Sequence, residues 1–161
     1  MLLLYLSRLG NAIAQFRNPS GKTVKMRFDH VKGKVKQRPI FFVNSPYSGR
    51  ILWSGQQSCG LVKAVLGQVG AGYIGTLAPI PSDFAIQVAN AFLKRASSQG
   101  VRPAYFLSEL RAHTWKRYEE VMTKPELREK AWLRFLYSLM YIYYGNPQAL
   151  LKVVPTQSTS S

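Results

Sequence analysis

Cysteine, histidine and acidic side chains are all scarce in this chain. Its 161 residues include one cysteine, Cys59, two histidines, His30 and His113, and seven Asp or Glu. A lone thiol excludes an internal disulfide framework and a cysteine-rich zinc site, and it suits a reducing cytoplasm. No two His or Cys residues fall at ligand spacing, so no metal centre is expected. Nor is a nucleotide cofactor: Gly67, Gly70, Gly72 and Gly75 lack the Gly-Lys-Ser/Thr ending of a phosphate loop. Apolar runs stay well short of the roughly 20 residues that cross a bilayer. Ala12-Ile-Ala14 mimics a signal-peptidase site, but Arg8 interrupts the apolar start and no basic region precedes it. The expectation is a soluble, cytoplasmic protein without a membrane partner.

What is abundant is positive charge. Lys and Arg number 22, leaving a net charge of +15, while hydrophobic residues make up an ordinary 47%. The length suits one domain, able to bury roughly two-thirds of its unfolded surface. Residues 1–38 hold nine Lys or Arg against the single acid Asp29. Lys22, Lys25, Arg27, Lys32, Lys34, Lys36 and Arg38 are the candidate polyanion contacts, either an arm for nucleic acid or an acidic partner, or a solvated lysine-rich hairpin. Tyr47, Trp53 and Tyr73 are the candidate stacking faces for nucleic acid.

Hydrophobic periodicity gives the elements. Leu2, Leu3, Leu6, Leu9, Ile13 and Phe16 recur at helical steps and predict a short amphipathic helix over 2–16. Thr23–Asp29 alternates with period two, and Pro39–Val43 is a continuous apolar run, so both read as strands, the second covered on both faces. Leu61–Val69 describes a helical face, and Ala71–Leu77 a strand of small residues. Ser82 is placed to cap the next helix, with Asp83 where the helix dipole favours a negative charge. Further helices are expected from Pro103 and from Pro125, and a last strand over Tyr141–Tyr144. The fold class expected is α/β, a mostly parallel sheet flanked by helices.

Four phrases in this order carry a resemblance. They are Phe42-Val-Asn-Ser-Pro-Tyr-Ser-Gly49, Gly60-Leu61 through Gly70-Ala71, Tyr73-Ile-Gly-Thr-Leu-Ala-Pro-Ile80 with Asp83 and Ala89-Asn-Ala-Phe92, and Tyr141-Ile-Tyr-Tyr-Gly-Asn-Pro147. Over residues 39–147 they resemble the C-terminal half of CHAT domains, caspase-like cysteine peptidases of the separase and caspase clan. The resemblance implies a partial caspase-like layered fold, with Asn44, Ser48, Gly49, Gly75, Thr76, Asp83, Tyr144 and Gly145 as motif residues. Together with the charge distribution and the polar C-terminus, it divides the chain into three segments: a basic helix and strand region over 1–38, the half-domain over 39–154, and a disordered tail over 155–161.

The departures from the family pattern bear on chemistry. Pro46 stands where the nucleophilic cysteine is expected, and neighbouring Ser45 needs a positioned base. The family's base is a histidine in a His-Gly phrase, whereas His30 precedes Val31 and lies only 16 residues before Pro46. His113 matches nothing in the pattern. Cys59 reads either as a small buried residue or as a thiol activated at the start of the 61–69 helix.

The expected function is therefore that of a catalytically inactive, truncated and degenerate CHAT-like domain. It would act by protein–protein binding, to a partner, to a missing N-terminal half, or to copies of itself. The alternatives are a basic nucleic-acid-binding module and an active cysteine peptidase whose rearranged site joins Cys59 to His30 or His113.

Overall fold

A computed structural model describes the backbone of residues 2–6, 12–17, 23–27, 39–54, 57–68 and 70–152, and the side chains of 39–52, 60–67 and 70–152. The first segments form three strands, β1 (Leu2–Leu6), β2 (Ala12–Arg17) and β3 (Thr23–Arg27). They pair as an antiparallel meander, Leu2 beside Phe16 and Ile13 beside Arg27. The helix expected over 2–16 is not formed. Two stretches of five and six residues are too short to favour one period over the other, and non-local pairing decides them. The strand expected from Thr23 is present as β3.

The second sheet holds β4 (Ile40–Phe42), β7 (Gly72–Thr76) and β8 (Tyr141–Gly145), in the order β4-β7-β8. Between β4 and β7 lie a hairpin, β5 (Leu52–Ser54) with β6 (Gln57–Cys59), and helix α1 (Leu61–Gln68). Three helices follow β7: α2 (Ser82–Ser98), α3 (Pro103–Val121) and α4 (Pro125–Leu139). β4 runs parallel to β7, with Phe41 beside Tyr73, but β8 runs antiparallel, with Tyr144 beside Tyr73. The sheet is thus mixed, not mostly parallel. Of its three strands β7 is central, and all five of its residues are buried.

Side chains alternate across β7 and so divide the interior in two. Tyr73, with Phe41, Val43 and Tyr144, packs on Leu61, Val62 and Val65 of α1. Ile74, with Phe42, Tyr141 and Tyr143, packs on Phe84, Val88 and Phe92 of α2 and on Phe106 and Leu107 of α3. Ring contacts tie the second core together, Phe42 to Phe92 at 5.1 Å and Phe92 to Phe106 at 5.2 Å between centroids. Each fully buried side chain of this size contributes about 1.5–3 kcal/mol. Helices therefore flank the sheet on both faces, as expected.

Helix α2 opens one residue earlier than its sequence suggests. The amide of Ala85 donates to the Pro81 carbonyl at 3.0 Å, so Pro81 is the cap residue and Ser82 is the first helical residue, with no side-chain cap. Asp83 does lie in the first turn, where the dipole favours it. Helices α3 and α4 each begin on a proline, Pro103 and Pro125, whose fixed φ and missing amide cost nothing there.

Candidate functional site

The motif residues converge at the end of β7 where β4 gives way to its following loop. The amide of Ser48 donates to the Ser45 carbonyl at 3.0 Å, which closes a four-residue turn with Pro46 and Tyr47 at its centre. Tyr47 has φ 62°, in the left-handed region. A proline second and a positive φ third are the marks of a type II turn. Pro46 is therefore exposed at a turn apex and does the work of chain reversal. The strain at Tyr47, about 1–2 kcal/mol for a non-glycine residue there, is offset in part by the Arg50 guanidinium 4.0 Å from its ring centroid.

The hydroxyls around this turn already have partners. Ser48 donates from its Oγ to the Val43 carbonyl at 2.9 Å and accepts from the Thr76 amide at 3.1 Å. Thr76 donates from Oγ1 to the Ser45 carbonyl at 2.6 Å. Tyr73 donates to the Ser48 carbonyl at 3.0 Å and Tyr144 to that of Gly49 at 2.9 Å. Asn44 donates to the Ala85 carbonyl at 3.0 Å and accepts from the Tyr141 hydroxyl at 2.9 Å. This network ties the turn to β7, β8 and the start of α2. Burial raises the Tyr73 and Tyr141 phenols well above their ordinary value.

Two glycines let the turn lie against the strand. The Gly49 amide donates to the Thr76 carbonyl at 2.9 Å. A Cβ on Gly75 would come within 2.7 Å of the Gly49 nitrogen and 2.8 Å of its Cα, both backbone atoms. A Cβ on Gly49 would meet Ile142 at 2.7 Å and the backbone of Gly75 and Thr76 at 3.1 Å. Backbone packed on backbone leaves no room at either position.

Of the expected site residues, Asn44, Ser48, Gly49, Gly75, Thr76 and Tyr144 are thus brought together with Pro46. Gly145 lies at the far end of β8, beside Gly72, and Asp83 is exposed in the first turn of α2. Cys59 ends β6 opposite Leu52, one residue outside the cap of α1, where the Gly60 carbonyl accepts from Ala64 at 3.2 Å. The side chain of Cys59 lies outside the described residues. His30 and the basic residues Lys22, Lys32, Lys34, Lys36 and Arg38 lie outside the described residues. Lys25 and Arg27 are on β3, and their side chains lie outside too, as does that of Trp53. Tyr73 is fully buried and offers no stacking face, whereas Tyr47 is exposed beneath Arg50.

His113 is elsewhere, on α3, lining a cleft of about 530 Å³ between α2, α3 and α4 that none of residues 44–49 lines. The sequence reading missed this cleft. Its one available signal was the pair Lys130 and Arg134, four apart on α4 beside Leu127 and Ala131. Among the described residues no three His, Cys, Asp or Glu come together as a metal site, and no helix is long and apolar enough to cross a membrane. Comparison with protein-family models, with curated proteins and with solved structures returns no match.

Proposed function

We propose that this chain is a catalytically inactive, CHAT-like domain that works by binding protein. The turn after β4 carries this reading. At the position expected for the nucleophile it holds Pro46, which has no group to attack with and serves the turn geometry. Ser48 and Thr76 have both spent their hydroxyl protons on backbone carbonyls, so neither is poised for activation by a base. His113, the one histidine among the described residues, lines a separate cleft. A frame that keeps the motif residues packed while filling the nucleophile position with a turn former suits recognition, not turnover.

The test has two readouts. Incubated with peptides cleavable after basic residues, the protein gives no turnover, and Cys59→Ala behaves identically. Turnover abolished by that substitution overturns the reading of inactivity. Sized by light scattering, the isolated chain runs heavier than its 18.2 kDa monomer. A stable monomer at working concentration counts against association through this domain.

A further inference from the structure

Helices α3 and α4 carry six Lys or Arg and five Glu, a near balance. The cleft between them and α2 does not share that balance. Arg117, Lys130 and Arg134 line it together with His113, and no Asp or Glu does among the described residues. The excess of cations here is thus a sorting of charge by helix face, beyond what the chain's net charge requires. The walls are apolar: Phe84 and Val88 from α2, Leu110 and Val121 from α3, Leu127 and Ala131 from α4.

The cations differ in what holds them. Arg134 hydrogen-bonds to Gln87 and lies 5.5 Å over the Phe84 ring, so its guanidinium is fixed across the cleft. Arg117 pairs with Glu120 at 2.9 Å, an exposed contact that costs little to exchange. Lys130 has no ion pair among the described residues. Lys130 and Arg134 are four residues apart and so share one face of α4.

We infer that this cleft binds a small apolar monocarboxylate, its hydrocarbon body among the helix walls and its carboxylate between Lys130 and Arg134. The size of the cleft argues for a small molecule. About 530 Å³ falls in the range of ligand pockets, roughly 300–1,000 Å³. The charge argues for an acid, since Arg117, Lys130 and Arg134 border these apolar walls and no carboxylate does among the described residues. The site is independent of the turn after β4, so its failure would leave the reading of that turn intact.

Titration calorimetry of the full chain with decanoate below its micellar range tests this, with 1-decanol and acetate as the two half-ligands. Decanoate is expected to saturate at one per chain, with decanol and acetate each at least about tenfold weaker. Lys130→Glu weakens decanoate by roughly fivefold or more. Ala91→Trp, which fills the cleft from the exposed side of α2, abolishes binding. Equal affinity for decanol overturns the role of charge. Decanoate binding that survives Ala91→Trp places the ligand elsewhere, and absence of saturable binding, or binding of acidic helical peptides alone, overturns the proposal.

Discussion

Gly75 and Gly49 show how one atom decides whether the turn after β4 can form. The would-be Cβ of Gly75 meets two backbone atoms of Gly49 below 3 Å, and backbone cannot swing aside as a side-chain end does. Gly75→Ala therefore pushes the turn off β7 and strains the Gly49–Thr76 and Ser48–Thr76 hydrogen bonds together. A loss of about 1–3 kcal/mol is expected, the range for an inserted methyl in a packed site. Gly67→Ala is the control, because its Cβ meets nothing within 4 Å and its helical place favours alanine. Urea unfolding of the two variants checks this. If Gly75→Ala is no less stable than Gly67→Ala, the turn does not pack as described. Tyr47 is the converse case. Its positive φ is a local strain held by the turn that Pro46 shapes.

At the scale of elements, the α3–α4 hairpin is held by a small buried polar contact as well as by rings. Thr114 lies 3.0 Å from the Ser138 hydroxyl, which itself donates to the Phe135 carbonyl at 2.6 Å, and Ser138 is fully buried. Trp115, Tyr118, Trp132 and Phe135 close a ring of contacts at 5.0–5.7 Å between the same helices. Ser138→Ala is expected to cost about 1 kcal/mol, since Thr114 can turn its proton to the Leu110 carbonyl at 2.9 Å. Ser138→Val adds bulk where the helices touch and costs more, about 1–3 kcal/mol. Thermal melts of both variants rank them, and a valine variant at least as stable as the alanine one would mean the helices leave room there. Such contacts explain what the sequence could and could not show. The stripes of α2 and α3 were legible because Phe84, Val88, Phe92, Phe106 and Leu107 recur with the helical period and are the residues that end buried. The N-terminal strands were not, since Leu2, Leu3, Leu6, Ile13 and Phe16, apolar at helical steps, also fit two paired strands, and the sequence punctuation Gly10-Asn11 carried little weight beside them. The direction of β8 had no local signal at all. It depends on the path of three intervening helices, which periodicity does not encode. The motif cluster was half legible: its members could be named from the sequence, but not that their hydroxyls are consumed by the turn.

For the molecule as a whole, two opposed pH effects act above neutrality, and a pair of phenols separates them. The chain carries +15 at pH 7, and deprotonating its lysines relieves self-repulsion, which favours the folded state as pH rises. Tyr73 and Tyr141 act the other way. Both are buried, and desolvation holds their phenols protonated in the native state well above the value of 10 that they have in the unfolded chain. Their contribution is fully present below pH 10. It is lost as pH climbs towards the raised native values, because the unfolded chain then releases protons that the native state retains. Replacing both by phenylalanine removes the Tyr73–Ser48 and Tyr141–Asn44 hydrogen bonds, and near pH 8 the variant should be less stable by about 1–3 kcal/mol. The lysine effect is common to both proteins and cancels in their difference. What remains is the effect of the two phenols, so the gap between wild type and variant must narrow between pH 10 and 11. Urea midpoints of the two proteins, taken from pH 8 to 11, measure that gap directly. A gap that stays constant through pH 11 would mean that these tyrosines ionise as freely in the fold as in the unfolded chain, and the two sheet faces would not be as closed as their packing requires.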